Sequence, residues 1–296
     1  MESAGERGSW TGVGVSKTGG WADGVVPSSP ESLEALRCRA DSGRTVKESA
    51  CAPLLFQVLT GSHPITPFQT PFALDRDGDA VWLDLHHPET RHLLVEGGTS
   101  AGRAEVLRAL IAGLATTTRP ALMQILAVDT TGRELSIVDA LPHAAAPSAG
   151  DAAAAQTSLA WLAADLEARR SEGRLWPEML LVIEDLLALA PASGRTRLGL
   201  TTILRSGGAW GIHVIAAVAS RTGGLKAAGW SGADVARLIA APQAGWHEFV
   251  RGARRSLVHG ARVTAVDLDL LARGRCRPSP SSAGRKDPFG DSRRPG

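Results

Sequence analysis

The chain has 296 residues, 44% apolar and 21% charged, enough for one large domain or two small ones around a sizeable core. It contains no run of about 18 uncharged apolar residues, and the longest apolar stretch, MLLVIEDLLALA, is broken by Glu184 and Asp185. The first twenty residues also lack the apolar centre of a signal peptide, so the expectation is a soluble, cytoplasmic chain without membrane insertion. Net charge is +2, but residues 273–296 hold seven basic and two acidic side chains, which leaves −3 for residues 1–272. That balance gives no support to a large nucleic-acid footprint on the ordered part, where RGARR at 251–255 is the one dense basic strip. Three cysteines, Cys38, Cys51 and Cys276, show no metal-ligand spacing and read as free thiols, and no metal site is expected.

Residues 1–60 are rich in Gly, Ser and charge, with one helical-looking stretch, PESLEALRCRA, and read as mostly disordered or loosely packed. A domain is expected over residues 61–272, followed by a disordered basic tail over 273–296. Within the domain AVWLDL (80–85) reads as a strand and RHLLVEG (91–97) as a buried one. AEVLRALIAGLAT (104–116) has helical apolar spacing, and MQILAVD (123–129) is the next strand. An Ala-rich helix starts near residue 152, EMLLVIED (178–185) is a third buried strand, a helix spans roughly 196–207, and IHVIAAVAS (212–220) is a fourth buried strand. Continuous apolar strands separated by helices imply an α/β fold whose central parallel sheet is covered by helices on both faces. Trp161, Trp210, Trp230 and Trp246 show no stacking pattern and are expected to pack.

The stretch HLLVEGGTSAGRAEVLRALIAGL runs from an apolar strand through a glycine-rich turn into an amphipathic helix. This is the layout of a phosphate-binding loop, Gly, four residues, Gly, Lys, then Ser or Thr. Gly97 and Gly102 keep the spacing, and Gly97, Gly98, Thr99, Ser100, Ala101, Gly102, Arg103 and Ala104 form the candidate nucleotide-binding set. Backbone amides and the helix N-terminus would supply the anion cradle. Arg103 keeps a positive charge on a longer, planar fork that does not mimic a compact ammonium, and Ala104 offers no oxygen to Mg²⁺. The second candidate element is the strand end at Glu184 and Asp185. A nucleotide-hydrolysing fold places there an Asp for Mg²⁺ and then a Glu for the attacking water; here the order is reversed. The other reading is a strand merely capped at the surface.

Several further segments carry a resemblance. FALDRDGDAVWLDL, ILAVDTTGRELSIVDALPH, DLEARR, GGAWGIHVIAAVASR, ARLIAA and SLVHGARVTAVDLDLL stand, in unbroken order from Phe72 to Leu271, where the FtsK/SpoIIIE family of DNA translocases has its characteristic motor-domain segments. The chain also resembles the degenerate ATPase modules of type VII secretion. The resemblance implies a RecA-like P-loop NTPase fold, with ATP as the ligand and Mg²⁺ held weakly or not at all. It implies double-stranded DNA as a partner, and self-association into a ring or packing with a paralogous ATPase. Ser220 stands where the family has a glutamine that senses the γ-phosphate, so Glu184, Asp185 and Ser220 are the candidate catalytic set. Arg205 or Arg237 would be a finger reaching a neighbour's nucleotide, and His143 and His213 match structural positions. Two readings stay open. One is an ATP-binding, FtsK-like protein of the DNA translocase class with weak or absent hydrolysis. The other is a catalytically inactive scaffold or regulatory module packing against an active paralogue in a DNA-transfer, division or type VII secretion complex.

Overall fold

The order of buried strands predicted from the apolar runs is the order found. The computed structural model describes Leu55, Leu59 and residues 66–130, 134–189, 194–219 and 235–273, the side chains of 194–197 and 265 excepted. The elements are β1 (Gln69–Leu74), β2 (Ala80–Asp84), β3 (His92–Glu96), α1 (Ser100–Thr117), β4 (Met123–Val128), α2 (Ile137–Ala140), α3 (Ala152–Glu172), β5 (Glu178–Ile183), α4 (Gly194–Ser206), β6 (Ile212–Val218), β7 (Ala236–Ala240), β8 (Trp246–Arg251), β9 (Arg254–Gly260) and α5 (Ala265–Ala272). The stretch PESLEALRCRA, the tail after residue 273, Ser220, Trp230 and the three cysteines lie outside the described residues.

One sheet runs in the order β2-β1-β9-β8-β7-β3-β6-β5-β4. Neighbours from β7 through β3, β6 and β5 to β4 are parallel. Beyond β7 the sheet continues antiparallel through β8, β9, β1 and β2; of these, β2 is the strand read at 80–85, and the apolar runs did not announce β8 and β9. In β3, β5 and β6 every residue is buried, because successive side chains point to opposite faces and both faces are covered. Leu93, Val95, Ile125, Val182 and Ile215 pack on one side with Leu107, Leu110, Ile111 and Leu114 of α1. Leu94, Leu126, Leu181, Val214 and Ala216 pack on the other with Leu159, Leu162 and Leu166 of α3 and Ile203 of α4. No helix of the described residues is long and apolar enough to cross a membrane.

Buried polar groups brace this layering. Arg169 on α3 is 1% exposed. It donates to Asp165 at 2.6 Å and to the carbonyls of Leu175 at 2.7 Å, Trp210 at 3.2 Å and Pro177 at 2.6 Å. One guanidinium thereby fastens the approach to β5, and its charge is satisfied where it is buried. His213 contacts Glu178 at 2.9 Å and the Arg91 carbonyl at 3.1 Å, and His143 contacts the Thr118 carbonyl at 2.8 Å, so both histidines are structural. Trp246 stacks on His259 at 4.9 Å, and Trp210 packs against the α3–α4 core. Trp161 departs from expectation: it is 49% exposed on α3.

Candidate functional site

Because β3 to β6 are parallel, their C-terminal ends share one edge, where ligands of open α/β sheets bind. The loop after β3 lies there. Gly97 and Gly98 have φ of 75° and 69°, the left-handed region that glycine adopts without strain. The Gly97 amide donates to the Val218 carbonyl at 3.0 Å, tying the turn to the end of β6. A Cβ on Gly98 would stand 3.2 Å from that of Ala240 at the end of β7.

Helix α1 begins at Ser100, four residues earlier than the apolar spacing predicts. Thr99 is the reason. In an extended conformation (φ −81°, ψ 158°) it caps the helix, its hydroxyl accepting from the Gly102 amide at 3.1 Å. Its carbonyl accepts from the Arg103 amide at 3.0 Å. The amides of Gly102 and Arg103, which an anion cradle would use, are therefore satisfied within the chain. Gly98, Thr99, Ser100 and Ala101 are exposed at the turn.

Arg103 lies inside this turn. The residue is 7% exposed, its Nη1 donates to the Gly98 carbonyl at 3.1 Å, and its buried Nε has no partner among the described residues. The guanidinium therefore binds the loop's own backbone. Ala104 is 1% exposed and carries no side-chain oxygen. The positions that a phosphate-binding loop gives to an ammonium and a hydroxyl hold here a guanidinium turned to the Gly98 carbonyl and a methyl group.

Of the two acids after β5, Glu184 faces the loop. It is 3% exposed, its amide donates to the Val128 carbonyl at 2.9 Å, and Ser100 Oγ donates to its Oε1 at 3.3 Å. Burial, and then the charges of Asp185 and Asp129, hold its carboxyl above the usual range, while Ser100 and the Arg103 charge pull the other way. Asp185 turns into the next segment, where its Oδ1 accepts from the Leu187 amide at 2.9 Å. Ser220 lies outside the described residues.

Asp129, just beyond β4, was not singled out from the sequence. It is 1% exposed, its Oδ2 accepts from the amides of Glu134 and Leu135, each at 2.8 Å, and its charge acts on Glu184. An acid ending a buried apolar strand, next in the sheet to the strand that ends in Glu184, was the signal that could have found it. Arg237 on β7 is engaged within the chain. It grips Glu96, the last residue of β3, through two bonds, Nε to Oε1 and Nη2 to Oε2, the latter 2.8 Å. Arg205 is exposed on α4.

The environment of Glu184 has a consequence for pH. An acid whose pKa is raised by folding destabilises the folded state only where it must ionise, above its ordinary value of 4.5. Relative to Glu184→Gln, the wild type should lose stability as pH rises from there. Thermal melts at pH 4 and pH 8 are expected to show the variant melting higher at pH 8 and alike at pH 4. A difference independent of pH would contradict this environment.

Comparison with known proteins agrees with the resemblance read from the residues. Residues 62–176 match the FtsK/SpoIIIE family model. The chain is similar to the DNA translocase FtsK of Lactiplantibacillus plantarum, 29% identical over 108 residues, or 36% of this chain and 13% of that protein. It is also similar to the FtsK of Bradyrhizobium diazoefficiens, 33% identical over 92 residues, or 31% of this chain and 11% of that protein. The chain thus spans only a small part of the length of these relatives. Among solved structures, the cytoplasmic domain of the Thermomonospora curvata type VII secretion ATPase EccC superposes with a TM-score of 0.57 at 21% identity, covering 72% of this chain and 28% of that one. The pCW3 conjugation coupling protein TcpA with ATPγS gives 0.57 at 15% identity, covering 76% and 74%. These superpositions show the α/β fold that the chain shares with those domains.

Proposed function

We propose that this chain, related through residues 62–176 to the FtsK/SpoIIIE family, is a P-loop module that does not turn over ATP and works as an inactive or regulatory partner of a competent ATPase. The observation that carries this reading is the Arg103 guanidinium bonded to the Gly98 carbonyl inside the loop. Around it, the Gly102 and Arg103 amides are spent on Thr99, and Ala104 supplies no metal ligand. Phosphoryl transfer depends almost entirely on positioned charge at the transferred group. A loop that directs its one cation at its own backbone offers little of that. Nucleotide would have to displace the guanidinium and would bind weakly, with little help from Mg²⁺.

The α/β fold and the edge where β3 to β6 end remain. The relatives' names link the fold to DNA translocation, conjugation and type VII secretion; membership of such an assembly, as a packed module or a ring subunit on double-stranded DNA, is part of the proposal. The test is multiple turnover of labelled ATP with Mg²⁺, with and without double-stranded DNA. Turnover is expected to stay at background in both. DNA-stimulated, Mg²⁺-dependent turnover of several cycles per chain would overturn the reading.

A further inference from the structure

Strand β8 runs antiparallel to β7, so its start lies at the edge of the loop and its end at the opposite edge. There the β8–β9 hairpin turns through Gly252 and Ala253, with Gly252 at φ 55°, the glycine-first pattern of a type II′ turn. The register sets Arg251 directly across from Arg254 and Phe249 across from Ser256. All four therefore project from one face of the hairpin. With Arg255 they line an open concavity of about 360 Å³.

Like charges directly opposite one another in an antiparallel pair are destabilising, and neutralisation here is incomplete. Arg255 pairs with Glu248 at 3.0 Å, and Arg251 reaches Glu89 only at 4.0 Å. No carboxylate of the described residues pairs with Arg254. The Arg251 guanidinium lies 5.9 Å from the centre of the Phe249 ring, a contact that favours holding it in place. Phe249 in turn meets Phe72 edge-on at 5.2 Å in the core.

We infer that this face of the β8–β9 hairpin is a binding site for a phosphate group, independent of the loop after β3. Two guanidinium forks across one strand pair, with the Ser256 hydroxyl beside them, match the several oxygens and double charge of a phosphate better than the two oxygens of one carboxylate. A bound phosphate would relieve the cross-strand repulsion that the free hairpin carries.

The test compares the purified chain with Arg254→Glu, using inorganic phosphate in thermal melts and a labelled 20-base-pair duplex in anisotropy titrations. In the wild type, phosphate should raise Tm where chloride at equal ionic strength does not, and duplex affinity should fall with salt. Arg254→Glu should abolish the phosphate shift and weaken duplex binding at least tenfold. It should itself melt about 1–4 °C higher without ligand, because the opposed pair becomes complementary. Arg254→Lys, which keeps the charge and loses the fork, should fall between. A response to phosphate alone assigns the site to small phosphorylated compounds, and a response to duplex as well extends it to a nucleic-acid backbone; both support the inference. Unchanged binding in Arg254→Glu would overturn it, as would no binding of either probe or equal affinity for polyglutamate.

Discussion

Replacing Arg103 by Lys together with Ala104 by Ser is expected to tighten ATP binding roughly 10- to 100-fold and to make it depend on Mg²⁺. The magnitude follows from one recovered charge-assisted hydrogen bond, about 1.5–3 kcal/mol, at 1.4 kcal/mol for each factor of ten. The direction follows from geometry. A guanidinium bonded to the Gly98 carbonyl cannot serve a phosphate without giving up that bond, whereas an ammonium at the same position has three rotatable donors. The hydroxyl at 104 would restore the oxygen that a P-loop offers to its metal. Calorimetric titration of both proteins, with and without Mg²⁺, checks this. If the double change leaves the affinity where it was, the loop is not a nucleotide site.

Arg237→Ala is expected to lower stability by about 2–3 kcal/mol, after allowance for the 31% exposure of the arginine side chain. For a domain of this size that is a fall in Tm of about 4–12 °C. The Glu96 carboxylate is wholly buried, and without Arg237 it would be left uncompensated directly beneath Gly97. The double replacement Glu96→Leu with Arg237→Met removes both charges and should recover most of the loss, because the damage comes from the orphaned carboxylate. Denaturant unfolding of the three variants gives the coupling. A drop below about 1 kcal/mol for Arg237→Ala would mean that the pair does not hold the base of the loop.

What could be read from the sequence divides along physical lines. Strands β3, β5 and β6 were legible because both their faces are buried and every residue but His213 is drawn from the apolar set or placed at an end. The start of α1 was not. The glycine spacing of Gly97 and Gly102 says loop, and a single hydroxyl, Thr99, winds Ser100 to Gly102 into the helix. Strands β8 and β9 escaped because WHEFVR and RRSLVHG mix charge with apolar residues on half-exposed strands. The acids at 184 and 185 were legible as a pair, but which of them faces the loop depends on the pleat at the end of β5. The partner of Arg237 lies 141 residues away in the chain and became apparent only when β7 paired with β3.

The measurement that bears most directly on the central claim, that Arg103 occupies its own loop, is a titration of wild-type chain and Arg103→Ala with ATP in the absence and presence of Mg²⁺. The claim predicts millimolar or weaker binding to the wild type, indifferent to Mg²⁺, and no loss of affinity when Arg103 is removed. Micromolar binding to the wild type that strengthens tenfold with Mg²⁺ and collapses in Arg103→Ala would contradict it.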